Sequence, residues 1–169
     1  MGDYSSTIII EELSDTGETL RSVQLFGGGL PHQGTEWSTK MRQDTTSYPG
    51  NPRGTRQIFG TQEMPSAWVG KWTVGMLART PCLLIDEDGE EVRTTSPNSL
   101  MRFLDVVFRD GRLLRVSWIQ SSTDPTADLS LTREGGIDEW RFKIDRAQDI
   151  AWTFNFNWIG SIDPNPAPI

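Results

Sequence analysis

Large and small side chains alternate along residues 150–159. The large members share one parity, and they are Ile150, Trp152, Phe154, Phe156 and Trp158. Alanine, threonine and asparagine occupy the positions between them. Because successive side chains of a β-strand point to opposite faces, this pattern predicts a strand with one apolar and one small polar face. The apolar face is so large that either the protein's own core or a neighbouring subunit must cover it.

Shorter apolar or alternating runs predict further strands. In the first half of the chain these runs are residues 7–13, 20–26, 57–59, 68–74, 82–85 and 91–93, and the last two form a hairpin around an acidic turn. Between residues 112 and 160 we expect four consecutive strands, beginning with 112–119 and 127–132. Gly135 and Gly136 then predict a turn into the third strand, at 140–144.

One segment has the pattern of an amphipathic helix. Ser96 can cap the free amides of a first turn, and Pro97 suits the first helical position. The apolar residues that follow have helical spacing, and they are Leu100, Phe103, Leu104, Val107 and Phe108. Gly111 suits a left-handed C-terminal cap. The sequence therefore predicts a helix over residues 97–110.

A long polar stretch, residues 27–54, shows neither the alternation of a strand nor the apolar spacing of a helix. It is too long for an ordinary connection in a small domain, so we interpret it as an extended arm or loop that orders against a partner. Its glycine run predicts a hinge, Trp37 is its candidate anchor, and Tyr48 precedes a proline- and glycine-rich segment. The predicted interface residues are Gly27, Gly28, Gly29, Trp37 and Tyr48.

Together these elements predict one domain of the mainly β, α+β class. We expect an antiparallel sheet, as an open β-barrel or a sandwich, packed by a single amphipathic helix. The expected organisation is N-terminal strands at 1–26, the arm at 27–54, a β-rich core at 55–160 and a flexible tail at 161–169.

Charge and composition narrow the function classes. The 169-residue chain has a net charge of −7, which argues against direct nucleic-acid binding because phosphate contacts need a positive face. No window approaches the ~20 apolar residues of a membrane span, and no signal peptide is recognised. Cys82 is the single cysteine, so neither an internal disulfide nor a cysteine metal site can form, and we expect a buried thiol. We therefore expect synthesis in a reducing cytoplasm and no membrane partner.

Candidate catalytic and metal-binding groups are few. His32 is the only histidine and has no neighbouring ligand types, so we expect an exposed loop residue. The acidic residues 86–91 lack the distal glutamate of a calcium loop, and a solvated turn is favoured. Four carboxylates near strand ends could pair as in a glycosidase, namely Asp138, Glu139, Asp145 and Asp149. Acidic residues at turns are ordinarily only solvated, so we expect no enzymatic activity, no metal and no cofactor.

Trp68 and Trp72 lie four residues apart, with Gly70 between them, so a strand would place both rings on one face. Such a pair could form a sugar-stacking platform, which makes a non-catalytic carbohydrate-binding module the alternative function. The commoner fate of such a pair is the core. The predicted core aromatic residues are Trp68, Trp72, Phe103, Phe108, Trp118, Trp152, Phe154 and Trp158.

Four motifs in order resemble a known family. They are residues 58–60 (Ile-Phe-Gly), 68–72 (Trp-Val-Gly-Lys-Trp), 113–118 (Leu-Leu-Arg-Val-Ser-Trp, after the helix) and 149–159, the aromatic strand. This succession is similar to the small baseplate and tail-tube-associated proteins of contractile-tailed bacteriophages, over roughly residues 55–160. Several members carry a C-terminal peptidoglycan-binding LysM module. This sequence departs from those members by ending at Ile169, just after the aromatic strand, so the resemblance implies the assembly role and leaves cell-wall binding open.

The resemblance implies a tail-tube-like fold and a structural, virion-located protein. It would connect the tail tube to the baseplate through contacts with other tail proteins and with copies of itself. Trp37 and the 27–54 arm would then supply the partner contacts. The acidic surface would suit the neighbourhood of a DNA conduit.

Overall fold

The computed structural model describes residues 4–31, 35–37, 40–48, 51–122, 129–145 and 148–161, with side chains over 6–31, 64–121, 129–145 and 148–159. In this part of the chain ten strands form one sheet in which every pairing is antiparallel. The strands are β1 (Tyr4–Leu13), β2 (Thr19–Phe26), β3 (Thr35–Trp37), β4 (Lys40–Tyr48), β5 (Asn51–Trp72), β6 (Cys82–Ile85), β7 (Glu91–Thr94), β8 (Leu114–Ser122), β9 (Leu129–Ile144) and β10 (Ile150–Ser161). The helices are α1 (Val74–Arg79) and α2 (Pro97–Arg109), and a 3-10 turn covers Gly27–Gly29.

The strands follow the spatial order β3-β5-β10-β9-β8-β1-β2-β6-β7, and β4 pairs with β5 on the same edge as β3. The predicted class, a mainly β antiparallel fold with one substantial helix, is confirmed. No helix in the described part of the chain has the length and apolar character needed to span a bilayer.

The sheet curls strongly around its inner face. Trp72, at the end of β5, donates its indole N–H to the carbonyl oxygen of Gly29 at 3.0 Å. Gly29 comes soon after β2, which lies five strand positions away from β5 in the sheet. In a flat sheet five spacings of about 4.8 Å would separate them by roughly 24 Å. The two sides of the sheet therefore approach each other, as in an open barrel.

Helix α2 fills the inside of this curl, as its predicted apolar stripe requires. Ser96 Oγ accepts a hydrogen bond from the backbone N–H of Ser99, and Gly111 ends the helix at φ +64°. The ring of Phe108 packs against Phe154 at 5.1 Å, and Trp140 Nε1 donates to Asp105 Oδ1 at 2.9 Å. The helix is thus fixed to β9 and β10 by both apolar and polar contacts.

Helix α1 was not predicted, and residues 73 and 74 do not continue the strand as expected. Thr73 ends the extended segment and caps the new helix, since its Oγ1 accepts from the backbone N–H of Met76 at 3.1 Å. Leu77 is the buried residue of the helix. A helix of six residues is too short to show a clear period in sequence.

The prediction of a long loop over residues 27–54 is wrong. The 3-10 turn, β3, β4 and the start of β5 occupy most of it. The separate strands predicted at 57–59 and 68–74 likewise belong to one strand, β5, which runs from Asn51 to Trp72. Most residues of this two-stranded ribbon are polar, so its sequence carries no period-two signal.

The prediction of a turn at Gly135 and Gly136 is also wrong, because both residues lie inside β9. Residues 129–135 of β9 pair with β8, and residues 135–144 pair with β10. Gly135 is the position where β9 passes from one neighbour to the other. A Cβ there would lie 2.3 Å from the carbonyl oxygen of Asn157. The glycine permits a close backbone approach between β9 and β10. Three strands rather than four follow α2 in the described residues.

Candidate functional site

The most distinctive feature of the fold is a hairpin that extends beyond the rest of the sheet. The last pair between β10 and β5 is Ser161 with Thr61. Residues 51–60 of β5 lie past that pair, and β4 is their partner among the described residues. At ~3.3 Å per residue this extension is roughly 33 Å long. We call the part formed by β4 and residues 51–60 the assembly hairpin.

Both outer edges of the assembly hairpin carry backbone groups with no strand partner in the described part of the chain. A two-stranded ribbon is marginally stable alone, and unpaired edges are templates for pairing with another chain. The register joins Gln43 to Ile58 and Tyr48 to Asn51, with one irregularity between Thr46 and Tyr48. This geometry is suited to contacts with a neighbouring molecule.

The structure places the predicted interface residues in two environments. Trp37 ends β3 opposite Ser66, and Tyr48 ends β4 opposite Asn51, with their side chains outside the described ones. Tyr48 therefore belongs to the assembly hairpin. Trp37 belongs to the shorter strand beside it.

The glycine run is not a hinge, which corrects the prediction for Gly27, Gly28 and Gly29. A Cβ on Gly28 would lie 2.6 Å from Met76 Cβ, and a Cβ on Gly29 would lie 2.4 Å from Cys82 Sγ. The three residues form a 3-10 turn packed between α1 and the sheet. Their backbones approach other elements too closely for any larger residue.

Trp68 and Trp72 cannot form the proposed sugar platform, because both are 0% exposed. Trp68 Nε1 donates to Ser66 Oγ at 2.7 Å, and its ring lies against Phe156 at 4.7 Å. The space above Gly70 is occupied by Trp152, whose Cζ2 would lie 2.2 Å from an added Cβ. The two rings are core residues.

The other predicted core aromatics are confirmed, with one distinction. Phe108, Trp152, Phe154 and Trp158 are fully or almost fully buried. Phe103 and Trp118 are half-buried and pack against that core from its margin. Cys82 is buried as expected, and burial raises the pKa of its thiol.

A groove of about 600 Å³ lies on the outer face of β5, β10 and β9. Ala151 and Thr153 of β10 form its floor, because their small side chains sit between longer ones on the neighbouring strands. The walls carry Val69, Lys71, Arg141 and Lys143. We call this feature the basic groove.

Two of the three cationic side chains of the basic groove form ion pairs with described residues. Lys71 Nζ lies 3.7 Å from Asp149 Oδ2, and Arg141 Nε lies 2.7 Å from Glu139 Oε1. Lys143 forms no ion pair with any described residue. The groove therefore offers one cation without a partner and two others that are shared.

The candidate catalytic carboxylates lie on β9 and at the connection from β9 to β10. The backbone N–H of Asp145 donates to the carbonyl oxygen of Asp149 at 2.8 Å, which closes the turn between β9 and β10. Asp138 is the residue left without a β10 partner where the register shifts between Glu139 and Ile137. Asp145 and Asp149 thus belong to a turn, and Asp138 lies at an irregularity of β9.

The acidic residues between β6 and β7 form a tight turn. Asp86 Oδ1 accepts hydrogen bonds from the backbone N–H groups of Asp88 and Glu90, both at 2.9 Å. Gly89 has φ +80° and donates to the carbonyl oxygen of Asp86. Asp86 thus serves the turn itself, and the described residues contain no group of three or more potential metal ligands. His32 lies outside the described residues.

A buried charged cluster escaped the sequence analysis. Arg21 Nη2 donates to both carboxylate oxygens of Glu12 at 2.9 Å and also contacts Asp110, while its Nη1 lies 3.7 Å from Glu87. Glu12 is 1% exposed, and this burial raises the pKa of its carboxyl despite Arg21. The signal was present in sequence, since Glu12 shares parity with the buried Ile8 and Ile10. The cluster ties the β1–β2 hairpin to the end of α2 and to the acidic turn.

Comparison with family models and curated sequences assigns this chain to no family. No model of a protein family matches the chain, and no curated protein sequence matches it.

Proposed function

We propose that this chain is a non-enzymatic structural protein of a contractile phage tail, located in the virion at the junction of tail tube and baseplate. The observation that carries the proposal is the assembly hairpin, a ribbon about ten residues long beyond the last β10 pair. A strand extension that pairs with no other strand of its own described chain is explained by a partner. The partners are other tail proteins and copies of the same chain.

The sequence resemblance supports the same proposal at the level of fold. Its two aromatic motifs lie on β5 and β10, which pair directly along residues 61–72 and 150–161. Their tryptophans belong to one buried cluster. The resemblance thus rests on residues that build the curled sheet, as expected of a structural rather than a catalytic family.

The first test is location. Particles of a contractile-tailed phage that encodes this chain are purified. Tryptic peptides of the chain are then quantified relative to those of the tube protein. A labelled antibody then locates it by electron microscopy. We expect a fixed, ring-like stoichiometry and label at the tube–baseplate junction. Absence of the chain from intact particles overturns the proposal.

The second test concerns the hairpin. Residues 44–57 are replaced by Asn-Gly, which joins the paired residues Gln43 and Ile58 through a two-residue turn. Because β10 pairs β5 only from Thr61 onward, the sheet is left intact and the melting temperature should change little. We expect normal folding and failure to incorporate into tails. A shortened variant that folds and incorporates like the wild type contradicts the role of the hairpin.

A further inference from the structure

We propose that the basic groove of one subunit binds the acidic turn of a second copy of the same chain. The acidic turn comprises residues 86–91, and the groove lies on the outer face of β5, β10 and β9. This contact deepens the proposed function, because it names one subunit–subunit interface. It is independent of the assembly hairpin and can be tested separately.

The charge of the groove is unusual for this molecule. The chain carries 23 acidic and 16 basic residues, yet three of the groove's wall side chains are cationic. Lys143 has no acidic partner in the described structure, and Lys71 holds Asp149 only at 3.7 Å. An acidic group entering the groove would meet a free ammonium and a loosely shared one. Such a groove in a molecule of net charge −7 selects an anionic partner.

The acidic turn supplies the complementary charge in a rigid form. Asp88, Glu90 and Glu91 are exposed, and no described residue forms an ion pair with them. The two backbone hydrogen bonds to Asp86 Oδ1 fix the turn before binding, so little conformational entropy is lost on docking. The contact of Glu87 with Arg21 anchors the turn to the subunit body.

The apolar parts of the two surfaces also correspond. Val69 in the groove wall is 36% exposed, and Val92, directly after the acidic turn, is 49% exposed. The floor residues Ala151 and Thr153 are small and leave room for a hairpin turn. Docking would therefore bury a valine on each side beneath the charged groups.

The two surfaces lie on different parts of the sheet, so the contact is heterologous. The turn joins β6 and β7 at one edge, whereas the groove lies around β10 near the other. A heterologous contact repeats from copy to copy and closes into a ring when the rotation permits. One turn in one groove buries less than a standard interface, so we expect weak, salt-sensitive association that is strengthened by ring closure.

The experiment uses charge reversal in two variants of the full chain. The groove variant is Lys71→Glu with Lys143→Glu, and the turn variant is Asp88→Lys with Glu90→Lys. The turn variant preserves the turn itself, because Asp86 accepts from the backbone groups of residues 88 and 90, and it leaves Glu87 with Arg21. A control variant, Arg79→Glu with Arg102→Glu, changes the net charge by the same amount as the groove variant. Both control positions lie outside the groove and the turn.

Sedimentation velocity is measured over a wide concentration range at low and high salt. We expect wild type and the control variant to self-associate at low salt. The affinity of self-association of each charge-reversed variant should be lower by at least about tenfold. An equimolar mixture of the two reversed variants should regain association, since the reversed groove then faces the reversed turn. A monomeric wild type at every concentration, or a mixture that fails to regain association, overturns the proposal.

Cross-linking then identifies the contact directly. A carbodiimide joins a lysine to a carboxylate only when they touch, and mixing isotopically heavy and light protein marks links between copies. We expect heavy–light links between Lys71 or Lys143 and the acidic turn. Their absence, while links elsewhere form, contradicts the proposed interface. The same links in the hairpin-shortened variant would support this contact even if the proposed location in the tail were wrong.

Discussion

Two buried tryptophans on neighbouring strands should respond differently to the same substitution. Trp72 on β5 and Trp152 on β10 are both almost fully buried, with ring centroids 5.2 Å apart. The indole N–H of Trp72 donates to the carbonyl oxygen of Gly29 at 3.0 Å. The indole N–H of Trp152 has no hydrogen-bond acceptor among the described residues. Replacement by phenylalanine removes one satisfied donor in the first case and one unsatisfied donor in the second.

The magnitudes follow from these contacts. Trp→Phe in a core leaves a small cavity that costs roughly 1 kcal/mol at either site. At Trp72 the lost hydrogen bond leaves the Gly29 carbonyl group unpaired, which adds about 1–3 kcal/mol. At Trp152 the removal of an unpaired buried N–H returns a similar amount and offsets the cavity. We expect Trp72→Phe to destabilise the fold by about 2–4 kcal/mol and Trp152→Phe to change it by less than about 1 kcal/mol.

Urea and thermal unfolding of both variants measure this difference. In a domain of this size 1 kcal/mol corresponds to a shift of about 2–4 °C in Tm, so Trp72→Phe should melt at least about 2 °C lower than Trp152→Phe. Trp152→Ala is the control, because removal of the whole ring should cost about 3–5 kcal/mol. Equal losses for the two phenylalanine variants would refute the hydrogen-bond argument. Wild-type melting of Trp152→Ala, with assembly lost, would instead make Trp152 an interface residue.

Two further predictions concern the backbone and the buried charge. Gly135→Ala should unfold or severely destabilise the domain, because its Cβ would lie 2.3 Å from the carbonyl oxygen of Asn157. Gly136→Ala is the control and should melt like wild type, since its Cβ would meet nothing within 4 Å. Equal melting temperatures for the two variants would contradict the close approach at Gly135. Burial raises the folded-state pKa of Glu12 above its unfolded value, so the native state binds the extra proton and stability falls as pH rises from the ordinary carboxyl range through the raised pKa. Glu12→Gln lacks this titration, so its stability relative to wild type should increase as pH rises from the ordinary carboxyl range through the raised pKa. A relative decrease in urea melts would show that pairing with Arg21 outweighs burial.

The parts of the fold that sequence predicted well are those in which one face is buried and the other is not. Residues 150–159 and α2 both have this property, and their periods match the observed elements within a few residues. In each case the core imposes the period directly on the side chains. Glu12 shows the limit of this rule, because the buried ion pair places a charge at an inward position.

The segments that sequence missed lack a regular pattern of apolar positions. β4 and residues 51–60 pair with each other, and polar residues fill most positions of both strands, so no alternation of apolar residues marks them in the sequence. Gly135 and Gly136 resembled a turn because glycine is the commonest turn residue. Their actual cause, the approach of β9 to Asn157 in β10, is a long-range contact that no local window contains.

The two parts of β5 differ in the strands with which they pair. From residue 64 to residue 72 its inward side chains are buried and its outward ones exposed, so the subunit's own core explains this part. Residues 51–60 pair with β4 alone in the described structure, and such a ribbon adds little to the stability of an isolated subunit. The proposed assembly role depends on this combination, in one strand, of a buried base and an extension that has only β4 as its partner in the described structure.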